Sequence, residues 1–213
     1  MKKAIVVING KGGIGKDTLI DVLAKTGKYY VNSASSIEPI KRMCNYLNIK
    51  GEKNLAYRQL LSEVKKSVDT YYEHENGISY TNQYLLSAVR LWLTGCELRE
   101  DTGVDGVMFV HIREGENIKK FFEAVKGLDG TATEQMKDVV MFSLLVYSGE
   151  RSLDTYGNAS DDNVDNFDYD YTFKNDVCNT LPTREDVEQS FCKGFAEKLA
   201  WLCAKDKQGA SDT

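Results

Sequence analysis

The stretch that most constrains this 213-residue chain is its opening. Residues 4–8, Ala-Ile-Val-Val-Ile, form a continuous apolar and largely β-branched run, the pattern of a parallel strand buried on both faces. Asn9 ends the run, and Gly10-Lys11-Gly12-Gly13-Ile14-Gly15-Lys16 follows at once. A helix then starts near Lys16 and continues to about Lys25, with Leu19, Ile20, Val22 and Leu23 facing inward and Gly27 as its stop. Strand, glycine-rich bend and helix in direct succession put the bend at the carboxyl end of a strand in an α/β sheet.

The bend fits the pattern G-x-x-x-x-G-K. Its glycines let successive N–H groups turn toward phosphate oxygens, and the helix that follows adds the positive end of its dipole. Lys16 is placed to reach the β- and γ-phosphates as a point charge. The expected ligand is ATP, or GTP, with Mg²⁺, contacted by Gly10, Lys11, Gly12, Gly13, Ile14, Gly15, Lys16, Asp17 and Thr18. The residue after the lysine is ordinarily a Ser or Thr whose hydroxyl binds the metal; here it is Asp17, with Thr18 next. A carboxylate can also ligate Mg²⁺, or can simply favour the helix N-terminus by its charge, with Thr18 taking over the hydroxyl contact. A glycine-rich turn that holds no ligand is the plain alternative.

Strands and helices alternate through the rest. A short strand at 29–31 precedes a helix through Ile40, Met43, Cys44 and Leu47 that Ser35 or Ser36 can cap. From about 49 to 103 no strong strand pattern occurs. Instead Leu60, Leu61, Val64 and Val68, then Leu85, Leu86, Val89 and Leu93, recur at helical spacing and close at Gly95, which predicts a helical insertion after the second strand. Residues 107–112 read as the third strand, followed by a helix with Ile118, Phe121, Phe122 and Val125 on one face. Residues 139–146 are the longest apolar run and predict a central or near-central strand. The polar, acidic segment at about 148–168 reads as a loop or flap, and 169–173 as a modest fifth strand. Thr183, behind Pro182, can cap a last helix whose stripe is Val187, Phe191, Phe195 and Leu199, with 205–213 as a frayed tail. The expected fold class is α/β: a P-loop NTPase three-layer sandwich over 1–213, one domain with a parallel sheet of about five strands.

Composition narrows the partners. A net charge of −5 argues against a general nucleic-acid binder, which needs surplus Lys and Arg to displace counterions. Five cysteines without a C-x-x-C pair, and two histidines, assemble no zinc-site spacing. The opening apolar run is too short for a signal peptide and no stretch reaches transmembrane length, so a cytoplasmic protein without membrane contact is expected.

The loop Gly15-Lys16-Asp17-Thr18 resembles that of phage-type deoxynucleoside monophosphate kinases, and Gly15-Lys16-Asp17 is similar to animal phosphomevalonate kinase. Those families share an acidic, serine-containing flap, an aspartate near a late strand and an Asn-Asp pair after it. Here Ser160-Asp161-Asp162, Asp170 and Asn175-Asp176 stand in comparable order. The resemblance covers roughly the first 30 and last 50 residues, and the middle, where the phosphate acceptor would be chosen, matches neither family. It implies transfer of the ATP γ-phosphoryl to a (deoxy)nucleoside monophosphate or similar phosphorylated acceptor. Residues 11–16 also resemble the deviant P-loop of partitioning and septum-siting ATPases, but those continue with Thr after the lysine and end a later strand in Asp. Here the third strand runs into Arg113-Glu114. A non-catalytic or slowly hydrolysing regulatory P-loop NTPase is the alternative function.

A phosphotransferase must gather positive charge around its phosphates. Arg113, at the end of the third strand, is the best-placed candidate; pairing with Glu114 or Glu116 is its bland alternative. Arg151 opens the flap and could close over the γ-phosphate. Lys41 and Arg42 begin the helix after the second strand, where kinases with this fold bind the acceptor, and Arg58 and Lys65 are seven residues apart on one helix face. For all four the alternative is a solvated helical face, the usual fate of Lys and Arg. Asn175 can edge the nucleotide base or belong to a plain turn. Glu38 can orient the acceptor or hold metal-bound water.

Overall fold

A computed structural model describes residues 2–49, 51, 55–128, 131–136, 138–147, 164, 167–175, 186 and 188–209. Strands β1 (Lys3–Asn9), β2 (Tyr29–Ser35), β3 (Asp105–His111), β4 (Val139–Tyr147) and β5 (Tyr171–Lys174) form one sheet in the order β2-β3-β1-β4-β5. Every pairing in it is parallel. Seven α-helices lie among the described residues: α1 (Lys16–Lys25), α2 (Glu38–Tyr46), α3 (Leu55–Asn76), α4 (Tyr80–Glu97), α5 (Gly115–Lys126), α6 (Thr131–Met136) and α7 (Lys193–Gly209). None of the described helices is long and apolar enough to cross a membrane.

The alternation of β1 shows how the layers form. Ala4, Val6 and Ile8 join Leu19, Leu23, Phe109, Phe142, Phe191 and Phe195 on one face of the sheet. Ile5 and Val7 join Leu85, Val89, Trp92, Val110, Phe121 and Val125 on the other. Helices therefore cover both faces of a sheet whose central strand is apolar at every position from Ala4 to Ile8. Neighbouring strands β1 and β3 send their following helices, α1 and α5, to opposite faces. That divergence opens a crevice at their carboxyl ends, where open α/β sheets bind ligands.

The helices α3 and α4 lie between β2 and β3 in the chain, as the helical spacing predicts. The helix α4 packs under the sheet, whereas Leu61 of α3 packs on Ile40 and Cys44 of α2 in a separate small cluster. Five local expectations change. The helix α4 runs past Gly95 to Glu97, because Gly95 is a packing residue: a Cβ there would overlap the Tyr30 hydroxyl. The helix α2 starts behind Ile37 with no side-chain cap and carries Pro39 in its first turn, so neither Ser35 nor Ser36 caps it. The strand β2 extends to Ser35, and β5 begins at Tyr171, two residues later than its apolar pattern suggests. A carboxylate sets that start: Asp170 Oδ2 accepts from the Ser143 N–H and hydroxyl, both at 2.8 Å, pinning β5 to β4. The helix α7 reaches Gly209, into the expected tail. Thr183 and nearly all of the flap at 148–168 lie outside the described residues.

Candidate functional site

The loop between β1 and α1 keeps three glycines at positive φ: Gly10 at 141°, Gly13 at 77° and Gly15 at 90°. At Gly10 the requirement is also steric, since a Cβ would overlap the Val146 carbonyl oxygen of β4. Gly15 is the N-cap of α1 and gives the helix no side-chain cap, and the first intrahelical bond is Leu19 N–H to Gly15 O at 3.0 Å. The leading amides of such a helix point out of its N-terminus, toward the loop. The Lys16 ammonium folds back over the bend and donates to the Gly10 carbonyl, and to Lys11 O at 2.9 Å.

Two asparagines brace this loop. Asn9 is 1% exposed, and its Oδ1 accepts from Gly10 N–H at 2.8 Å. Its Nδ2 donates to Arg113 O at 2.9 Å and to the Tyr169 hydroxyl at 2.7 Å. From the opposite side, Asn175 follows β5, is buried, and donates from Nδ2 to Ile14 O at 2.8 Å. The bend is thereby fastened to the ends of both β3 and β5. Asn175, for which both a base edge and a plain turn were open, gives an amide hydrogen bond to the loop backbone.

A cavity of about 820 Å³ opens beside the loop. Gly12, Gly13, Lys16 and Asp17 of the loop line it, together with Lys41, Arg42 and Arg58 of α2 and α3. His111 and Arg113, at the end of β3, lie along its wall. Thr18 is exposed and is not among the lining residues, whereas Asp17 is. The candidate acceptor residues and the glycine-rich loop thus share one cavity, although no single stretch of sequence joins them. Arg42 is partly engaged with Glu38, Nε to Oε1 at 3.3 Å, and lies 5.7 Å from the centroid of the Tyr84 ring. Arg151 and Asp176 lie outside the described residues.

Lys65 also lines the cavity, but its ammonium is committed: it lies 3.1 Å from Glu114 Oε2 and 3.8 Å from Asp69 Oδ2. Asp69 in turn accepts from the Thr81 N–H and hydroxyl at 2.9 and 2.8 Å. Burial works against the Glu114 carboxylate, but the charge of Lys65 and hydrogen bonds from its own backbone, Lys65 and Asn117 outweigh it and hold its pKa below the ordinary value. The partner of Glu114 is therefore Lys65, across from α3, and the chain ties its helical insertion to the end of β3.

His111 is the functional candidate that sequence reasoning passes over. It pairs in register with Ile8 of β1 and Ser35 of β2, which brings its ring to the loop. Its Nε2 lies 3.9 Å from Asp17 Oδ1. Burial lowers its pKa to about 4; Asp17 opposes the shift, while the charges of Lys16, Arg113 and Lys41 add to it. The signal was its position, the last residue of the strand beside the glycine-rich strand. Only the pairing of β1 with β3 shows that this position faces the loop.

No protein-family model matches the chain, and no curated protein matches its sequence.

Proposed function

We propose that the protein is a P-loop kinase that transfers the γ-phosphoryl of ATP to a (deoxy)nucleoside monophosphate or a similar small phosphorylated acceptor. The observation that carries this is the shared cavity: a glycine-rich loop and helix N-terminus line it together with a second group of cations, Lys41, Arg42 and Arg58. An NTPase that only senses nucleotide has no need of a second cationic station. A phosphotransferase does, because its acceptor must be held in line with the γ-phosphate and neutralised there.

In this reading the amides of Gly12, Gly13 and Gly15 and the start of α1 cradle the β- and γ-phosphates. Lys16 leaves its bonds to the Gly10 and Lys11 carbonyls for phosphate oxygens, exchanging neutral acceptors for charged ones that bond roughly twice as strongly. Arg113, which lines the same cavity, neutralises the group in transit. The donor set fits a divalent ion carried by the nucleotide, since Asp17 offers an exposed carboxylate at the cavity wall. Such an ion supplies charge neutralisation between the phosphates. Phosphoryl transfer to a phosphate oxygen needs little general-base help, consistent with a cavity in which positive charge is the prevailing feature.

The test is a coupled ADP-release assay across ribo- and deoxynucleoside monophosphates, with Lys16→Ala as the reference variant. Acceptor-dependent ADP release that disappears in Lys16→Ala supports the kinase. Slow acceptor-independent hydrolysis, or unchanged turnover in the variant, overturns it.

A further inference from the structure

The sheet has two outer strands, and the chain treats them differently. At one edge β5 is four residues long and ends in Lys174, the short and charged form that discourages pairing with another chain. At the other, β2 runs Tyr-Tyr-Val-Asn-Ser-Ala-Ser over seven residues, with no charge, proline or glycine. Its register on β3 is unbroken from Tyr29↔Asp105 to Ser35↔His111, so no bulge turns it aside. Among the described residues β3 is its one strand partner, which leaves a row of outward N–H and C=O groups along the edge.

A second feature lies beside that edge. Tyr84, Ala88, Leu91, Gly95 and Leu98 recur at alternating spacings of four and three, along one flank of α4 and its C-cap. Gly95 turns this flank toward the edge strand, since a Cβ there would meet the Tyr30 hydroxyl of β2. Yet Leu91 is 73% exposed and Leu98 is 81% exposed. Arg99, next along the chain, is already engaged: its guanidinium lies 4.1 Å from the centroid of the Tyr30 ring and donates to Gly95 O at 3.0 Å.

We propose that this edge is a homodimer interface, in which β2 pairs antiparallel with β2 of a second copy and Leu91 and Leu98 pack on the second copy's α4. Symmetry carries the choice of partner. Antiparallel strands are related by a two-fold axis perpendicular to the sheet, so both α4 helices lie on the same face of the joined sheet. An uncharged strand meets itself with no like charges opposed. An extended peptide satisfies the strand edge but leaves both leucines in water, whereas a second copy covers strand and helix together. The size is also sufficient. Seven residues run about 23 Å, and three layers of about 10 Å each give the edge a height of about 30 Å. That offers roughly 700 Å² per copy, near the about 800 Å² per partner of a standard interface. Ser33 to Ser36, at the carboxyl end of β2, line the cavity, so antiparallel pairing directs the two cavities toward opposite ends of the joined sheet. Neither copy completes the other's site, and the inference stands apart from the kinase reading.

Sedimentation equilibrium of the full-length chain, up to about 100 μM, reads the association above the micromolar limit for interfaces of this size. The expected result is a dimer of twice the chain mass. The Leu91→Glu, Leu98→Glu double variant should weaken it at least about tenfold, because it opposes like charges across the axis. Leu47→Glu, at an exposed leucine that ends α2, should leave it unchanged. Leu98→Glu alone, at the more exposed position, repeats the comparison where thermal unfolding shows the double variant destabilised. Hydrogen exchange separates strand pairing from helix contact: amides of residues 29–35 should be protected in the dimer and lose that protection on dilution. A chain that stays monomeric throughout the range overturns the interface. So does a dimer that the α4 variants leave intact, or one whose 29–35 amides exchange as fast as in the monomer.

Discussion

Lys65 offers the sharpest separation between a side chain that binds a ligand and one that holds the fold. Lys65→Met keeps the aliphatic stem and removes the charged end. In the native protein that end sits 3.1 Å from Glu114 and 3.8 Å from Asp69, with the lysine side chain 9% exposed. Asp69 retains its two bonds from Thr81 without it, while Glu114 retains its own backbone and Asn117. Removing one partner of a fully buried pair costs about 3–5 kcal/mol, and of an exposed pair about 0–1 kcal/mol. Glu114, 37% exposed, lies between these limits, so a loss of about 2–3 kcal/mol is expected.

The assay is urea unfolding at pH 7, followed by the fluorescence of buried Trp92. A cycle with Glu114→Gln should return a coupling of about 1–2 kcal/mol, because the two groups touch. The pH dependence has a definite sign. Glu114 is held below its ordinary 4.5, so its contribution is complete above that value and is lost as pH falls through the lower, folded-state pKa. In Lys65→Met this loss should be blunted. A single-variant cost under about 0.5 kcal/mol, with coupling near zero, would refute the tether. In that event a raised acceptor KM at unchanged stability would return Lys65 to the substrate.

Three further outcomes follow from named contacts. Gly10→Ala should cost at least about 2 kcal/mol, because positive φ and overlap with the Val146 carbonyl add, whereas Gly27→Ala, at φ 71° with nothing near its Cβ, should cost about 1 kcal/mol; equal losses in thermal unfolding would deny the close approach. Asn175→Ala should weaken ADP binding about tenfold in calorimetry with the sheet intact, since it frees Ile14 O from its brace; unchanged affinity would make the brace irrelevant to the loop. His111, lowered from 6.5 to about 4, is neutral in the fold while the unfolded chain takes up a proton across that window, so stability should fall by about 2 kcal/mol from pH 7 to pH 5 in EDTA, and His111→Gln should remove that slope.

What was legible in the sequence was what local pattern dictates. The apolar run at 4–8 could only be an interior strand, and Gly10 to Lys16 could only turn at its end. The recurrence of Leu and Val between 60 and 93 showed helices where α3 and α4 lie. What was not legible depends on pairings over long separations. Nothing near Lys65 announces Glu114, 49 residues away. Asn175 reaches Ile14 across 161 residues and Asn9 reaches Tyr169 across 160. The packing role of Gly95, in α4, is likewise hidden, because it depends on Tyr30 of β2. His111 was visible as a residue but not as a neighbour of Asp17, since that proximity is made by the register of β3 on β1.

The four residues from His111 to Glu114 join the loop to the helical insertion along the cavity wall. His111 faces Asp17 at the loop. The Arg113 carbonyl accepts from Asn9, whose other end holds Gly10, so the backbone of the β3 end and the bend move together. The Arg113 side chain lines the cavity, and Glu114 anchors Lys65 of α3, the helix that also brings Arg58 into the lining. A strand end bonded on one side to the loop and on the other to the insertion sets the distance between them. For the proposed phosphoryl transfer, whose catalysis is chiefly positioning, that distance is the quantity to control.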